Sequence, residues 1–121
     1  MERGLRWIVV GLALAAPGGA AAAGEAGRAV FERDCRACHS VLPLKNHVGP
    51  SLYGVVGRPA ASISSFVYSG ALRGSALVWT EAALEAFIGN PQATVPGTAM
   101  RFPGLKDPAE RAAVIAYLGG L

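Results

Sequence analysis

Cysteine is almost missing from this chain. There are two, beside two histidines and two methionines, and Met1 is one of those methionines, so side chains suited to metal or redox chemistry are few. Charge is thin as well: 11 basic against 8 acidic residues leave +3 over 121 residues, too weak a bias to argue for nucleic acid. The sequence contains no internal repeat and no interdomain linker, and its length suits one domain rather than two. It also lacks an unbroken apolar run of comfortable membrane-spanning length, because the stretch from Trp7 to Ala16 stops at Pro17-Gly18-Gly19.

What is present starts with a leader-like N-terminus. Arg3 and Arg6 precede the apolar stretch and small residues follow it, with an Ala-x-Ala cleavage site best placed at Ala21-Ala22-Ala23. This layout predicts a secretory signal over residues 1–23, export, and a domain over residues 24–121. An uncleaved membrane anchor is the competing reading, since no charge falls between Trp7 and Gly24. Cleavage would remove Glu2, Arg3 and Arg6 and take the formal charge from +3 to +2. The apolar fraction of 52% is raised by the leader and does not imply a membrane domain. A domain this small has a marginal core, and the chain's 16 glycines and 8 prolines predict long irregular segments. Something besides side chains is expected to fill the interior.

Three helices are expected. The first spans about Glu25 to Arg36, with Gly27 and Phe31 on one face and Glu25, Arg28 and Glu32 largely on the other. The second starts at Thr80 as N-cap, turns Ala83, Leu84, Phe87 and Ile88 inward, and stops at Gly89-Asn90-Pro91. The third has Asp107 as cap, Pro108 in the first helical position and Glu110 at the capping-box position, with Val114, Ile115, Tyr117 and Leu118 as its apolar stripe. Ser40 to Val78 and Gln92 to Lys106 show no periodicity, yet Tyr53, Val55, Val56, Ile63, Phe66, Tyr68, Leu72 and Leu77 make the longer segment too apolar for disorder. Such loops are expected to wrap something apolar, with no strand ladder or further helix to serve.

"CRACHS", Cys35 to Ser40, sets both cysteines against His39. Four chemistries use such a cluster. A structural disulfide suits an exported protein, but a C-x-x-C loop is too small for the bond to stabilise much. A thioredoxin-like pair needs a surrounding βαβ pattern, which is absent. Zinc held by Cys35, Cys38, His39 and His47 has the wrong spacing, because Cys38 and His39 are adjacent. Covalent haem attachment uses all three groups: each thiol adds across one vinyl of the porphyrin, and the following imidazole provides an axial nitrogen. With export and a loop-rich shell, haem is the reading the residues favour, and its apolar disc would fill the core.

The sixth ligand is sought by elimination. Met100, in "VPGTAM", is the only methionine apart from Met1. A lone methionine is more often a core gap filler, but this one sits in a Pro-rich, non-helical loop with no other evident purpose. His47 is the rival; it follows His39 too closely to reach the other ring face easily, and an ordinary hydrogen-bonding role suits it better. Imidazole and thioether together favour ferrous iron and raise the reduction potential. Filling both axial positions argues against binding oxygen or peroxide.

With those residues in view, the chain resembles class I c-type cytochromes, close to mitochondrial cytochrome c and bacterial cytochrome c2. The likeness runs from about Gly27 to Leu118 and includes "VGPSLYGVVGR", "YSGAL…W", "NP…VPGTAM" and "ERAAVIAYL". The 61 residues from His39 to Met100 are within one of the family's usual spacing, the missing residue falling before Gly49. The resemblance implies an all-α small cytochrome c fold, its terminal helices crossing and long loops wrapped around one covalent haem c. It implies that the Pro50 carbonyl accepts a hydrogen bond from the His39 ring, and that Tyr68 and Trp79 bond a buried haem propionate compensated by Arg58. Thr98 and Phe102 would flank the methionine side and exposed haem edge, while Gly27 and Phe31 would meet Val114 and Tyr117 at the helix crossing. A plain alternative makes Tyr68 and Trp79 simple core aromatics. Three departures stand out: Phe87 replaces a tyrosine near the methionine sulfur, Leu72 replaces an asparagine near the haem, and docking-lysine positions read Asp34, Gln92 and Ala99, leaving Lys106.

The implied function is periplasmic one-electron transfer, not enzymatic turnover, by a monomer with no membrane span once mature. Its partners would be membrane redox complexes or periplasmic dehydrogenases and oxidases in a respiratory chain. A haem enzyme such as a peroxidase would need an acid–base group beside Met100, where only Thr98 and Arg101 stand. A cytochrome tethered by residues 1–23 is the other alternative.

Overall fold

In the computed structural model the described residues are Gly4, residues 7–13 and residues 19–121. Arg3, Arg6 and Pro17-Gly18 of the expected leader lie outside the described residues. Among the described residues no helix is long and apolar enough to cross a membrane.

Helix α1, Gly19–Asp34, begins six residues before the expected Glu25. The added turn is alanine-rich, and alanine has the highest intrinsic helix propensity; the helix therefore passes unbroken through Ala21–Ala23. It also ends two residues early. The chain tightens there into turns, both Cys35 N and Arg36 N donating to Phe31 O at 2.9 Å.

Helix α3, Glu81–Gly89, and helix α5, Pro108–Gly119, start where their caps place them. Thr80 Oγ1 accepts from Ala83 N at 3.1 Å and Asp107 Oδ1 from Ala109 N at 2.9 Å. The capping-box expectation for Glu110 is corrected: its carboxylate accepts from Arg33 on α1, so it joins the two terminal helices.

Two short helices depart from the sequence expectation. Helix α2, Gly70–Arg73, is capped by Ser69, whose Oγ accepts from Leu72 N at 3.2 Å. Helix α4, Pro91–Thr94, follows α3 with one intervening residue. Asn90 closes α3 through its N–H to Ala86 O and caps α4 through Oδ1, which accepts from Ala93 N at 3.2 Å. Four residues are too few to show a 3.6-residue period.

Extended pairing among the described residues is limited to one antiparallel bridge, Pro59 with Val78. Ala60 N donates to Leu77 O at 2.8 Å and Trp79 N to Arg58 O at 2.9 Å, closing the long central loop on itself.

The terminal helices cross at Gly27. A Cβ there would lie 2.0 Å from Ala113 O and 2.6 Å from Tyr117 Cβ, so only a hydrogen fits. Phe31 and Tyr117 meet beside it, ring centres 5.9 Å apart. Val114, Ile115 and Leu118 of α5, Leu84 and Phe87 of α3 and Val30 and Phe31 of α1 form the buried centre, with Trp79 against Phe87 at 4.9 Å. This is the expected all-α fold with crossing terminal helices, and its loops line a cavity between the helices.

Candidate haem site

The turn after α1 delivers the Cys-x-x-Cys-His cluster to that cavity. Cys38 N and His39 N both donate to Cys35 O, at 3.2 and 3.0 Å, winding the segment so that Cys35, Cys38 and His39 all reach one lining. The two cysteines are not joined in a disulfide. Burial, helped by the Asp34 carboxylate, pushes the Cys35 thiol up to about 11.

His39 is buried, and its Nδ1–H donates to the Pro50 carbonyl at 2.7 Å. That bond fixes the tautomer and leaves Nε2 as the nitrogen with a free lone pair. Burial holds the imidazole below its ordinary pKa, with Arg58 and His47 adding to the lowering and the Pro50 hydrogen bond opposing it, so the ring is neutral near pH 7. Gly49 lies flat on it: a Cβ would stand 2.3 Å from His39 Cε1. The ring is held from behind and along one edge.

The loop behind the histidine is closed by groups the sequence did not single out. Asn46 Oδ1 accepts from Ser51 N at 2.9 Å, and its Nδ2 donates to Ser65 Oγ at 3.0 Å, joining two loops. His47, read as the ordinary hydrogen-bonding residue, is exposed and only its backbone N–H is engaged among the described residues, on Gly49 O. An amide flanked by loop carbonyls and serines is the signal that could have favoured Asn46.

Met100 lines the same cavity as His39, and its neighbours are arranged around it. Thr98, also buried, accepts from Met100 N through Oγ1 at 3.4 Å, and Phe102 lines the wall beyond. Gln92 staples the turn before it, Nε2 donating to Thr98 O at 2.9 Å and Oε1 accepting from Gly97 N at 3.2 Å. Lys106 Nζ is committed to Gly89 O and Pro103 O, both at 3.1 Å, so the lysine left at a docking position is engaged internally.

The far lining holds Arg58, Tyr68, Trp79, Leu72 and Phe87. Arg58 donates to Tyr53 O and Ser51 O, each at 3.0 Å, and burial pulls its guanidinium below its ordinary pKa. Among the described residues no carboxylate pairs with it. Tyr68 accepts from Ile63 N at 3.2 Å through its hydroxyl oxygen, which leaves its O–H proton for another acceptor, and packs edge-on to Phe66 at 4.9 Å. A partly buried cation and a free phenol proton suit a ligand that brings its own carboxylates.

The cavity of about 330 Å³ is thus apolar in its walls, with two thiols, a neutral imidazole, a thioether and an unpaired guanidinium among its lining residues. Those are the groups an iron porphyrin requires, and all ten residues singled out from the sequence as cofactor or metal residues line it: Cys35, Cys38, His39, Pro50, Arg58, Tyr68, Trp79, Thr98, Met100 and Phe102. The family model for cytochrome c matches residues 24–121. The chain belongs to the cytochrome c family. It is 45% identical over 119 residues to cytochrome c2 of Rhodomicrobium vannielii, covering 96% of this chain and 94% of that one. Cytochrome c2 iso-2 of Magnetospirillum fulvum is 49% identical over 87 residues, 72% of this chain and 91% of its own. Cytochrome cH from Methylobacterium extorquens superimposes with a TM-score of 0.76 at 41% identity, covering 81% of this chain and 98% of the solved one. As a cytochrome c, the protein carries haem c covalently and is an electron carrier.

Proposed function

We propose that Cys35 and Cys38 form the two thioethers, that His39 Nε2 and the Met100 sulfur are the axial ligands, and that the protein is a periplasmic electron shuttle freed of residues 1–23. Its donors and acceptors would be membrane redox complexes or periplasmic dehydrogenases and oxidases. The observation that carries the ligand assignment is the 2.7 Å bond from His39 Nδ1 to Pro50, which presents a neutral imidazole with one available nitrogen. The family match begins at residue 24, directly after the Ala21-Ala22-Ala23 cleavage site, which supports the domain boundary.

When bound, haem supplies a ferrous–ferric couple that exchanges one electron at a time. The chain's part is to keep that exchange cheap. Pro50 and Gly49 hold the His39 ring in one orientation, and Thr98 fixes the backbone at Met100. Trp79, Leu84, Phe87, Val114 and Leu118 exclude water, which limits the solvent reorganisation that accompanies a change of charge. Arg58, Tyr68 and Trp79 are assigned to the acidic side of the cofactor, where Arg58 supplies positive charge.

Met100→Ala should abolish the ferric methionine–iron charge-transfer absorption and lower the reduction potential markedly, because imidazole–thioether ligation favours ferrous iron. An unchanged band would refute the ligand. Haem that survived acid–acetone extraction in a Cys35→Ser, Cys38→Ser protein would contradict the attachment. Mass spectrometry of the native haem protein should find Gly24 at its N-terminus; a retained Met1 would make it a tethered cytochrome instead.

A further inference from the structure

The backbone that follows Met100 is tied down by one side chain of α5. Arg111, only 17% exposed, donates through Nη1 to Leu105 O at 2.8 Å and Lys106 O at 3.0 Å, and its Nε is held by Glu85 of α3 at 2.5 Å. The same stretch is pinned to the end of α3 by Leu105 N on Ile88 O at 2.8 Å. It lies so close that a Cβ on Gly104 would meet Gly89 O at 2.2 Å. On the other side, Gln92 fixes Gly97 and Thr98. Between these anchors only the short span from Ala99 to Gly104 carries Met100.

We propose that Arg111 is a positioning residue for Met100. Oriented by Glu85, it fixes the downstream end of the methionine loop and so sets how often the thioether leaves the iron. The inference rests on Met100 being the axial ligand.

The physical reasoning concerns local opening. A loop that opens does so by breaking the contacts at its ends, and the population of the open form falls with the free energy of those contacts. Arg111 supplies two bonds from a charged donor to backbone carbonyls, which are stronger than neutral ones. Helices α3 and α5 are themselves anchored in the core by Leu84, Phe87, Val114, Ile115 and Leu118, so the clamp joins the loop to rigid supports. Removing it leaves Leu105 N on Ile88 O as the main downstream tether, a weaker anchor, without touching any residue of the cavity lining.

The test uses the ferric holoprotein and imidazole as an external ligand, which can bind iron only after Met100 has left. Arg111→Gln should raise the imidazole-binding rate about tenfold, the effect of losing one such charged bond. It should also lower the temperature at which the methionine–iron band disappears more than the temperature at which helical circular dichroism is lost. Arg111→Lys should restore part of the slow rate, and Glu85→Gln should give a smaller increase of the same sign. Gly54→Ala serves as the destabilised comparison, since its strain lies at φ +66 with nothing within 4 Å. The proposal fails if imidazole binding in Arg111→Gln is unchanged, or if band and helix melt together as in Gly54→Ala. Should Arg111→Gln yield no holoprotein, an unchanged rate in Glu85→Gln overturns it. A parent protein that lacks the band removes the ligand assignment itself, a result distinct from a parent with the band and an insensitive variant.

Discussion

At Gly49 a single hydrogen decides whether the His39 ring can be supported from the backbone. A methyl group there would sit 2.3 Å from Cε1 and 2.7 Å from Nδ1, and the ring has little room to retreat because Nδ1 is bonded to Pro50. Gly49→Ala is therefore expected to cost about 1–3 kcal/mol through overpacking and to alter the haem spectrum, since the ring itself must turn. Gly54→Ala makes the useful contrast: nothing crowds it, but its φ of +66 costs a β-carbon about 1–2 kcal/mol. Thermal unfolding of both holoproteins should show comparable losses, with a spectral change in Gly49→Ala alone. A spectrum unchanged in both would mean that the ring is not cradled as the geometry implies. At this scale the sequence was legible where chemistry is contiguous, as in Cys35, Cys38 and His39. It was opaque where a side chain serves a distant carbonyl, as Gln92 does for Thr98 and Arg111 for Leu105, because a backbone acceptor leaves no mark on residue type.

Among the helices, two effects compete to explain why α1 and α5 cross where they do. One is the ion pair between Arg33 and Glu110, 55% and 30% exposed in their side chains. The other is the close approach at Gly27, with Ala113 O and Tyr117 Cβ inside the space of a methyl group. Surface pairs are weakened by solvent and by the entropy of long side chains, whereas a backbone oxygen cannot move aside without moving its helix. Gly27→Ala should thus force the helices apart and cost about 3 kcal/mol, read as a lower denaturation midpoint. Glu110→Gln should be minor beside it. A reversal of that order would mean that charge, not packing, sets the crossing. The helix starts at Thr80 and Asp107 could be read directly because a cap acts on amides two or three residues away. The partner of Glu110 could not, since Arg33 lies far off in the chain, and α2 and α4 left no periodic trace in four residues each.

For the molecule as a whole, the charge around the cavity matters because an electron carrier must find its partners by diffusion. A lysine-rich edge would give long-range attraction, but the docking positions that the resemblance implies are acidic or neutral here, at Asp34, Gln92 and Ala99. Lys106 adds little, since its ammonium is turned onto Gly89 O and Pro103 O. Arg58 is occupied with Ser51 O and Tyr53 O, and Arg111 with Glu85. Of the cavity-lining residues Arg101 remains, next to Met100, as the cation presented at that edge. One charge cannot steer strongly at physiological ionic strength, where screening acts over about 8 Å. Oxidation of the ferrous protein by hexacyanoferrate should consequently slow less than about threefold between roughly 0.01 and 0.15 M salt. Arg101→Gln should flatten even that dependence, while Lys106→Gln should leave it nearly unchanged and instead loosen the loop after Met100. A steep salt dependence that survived Arg101→Gln but vanished in Lys106→Gln would show that the ammonium leaves its carbonyls to meet the partner.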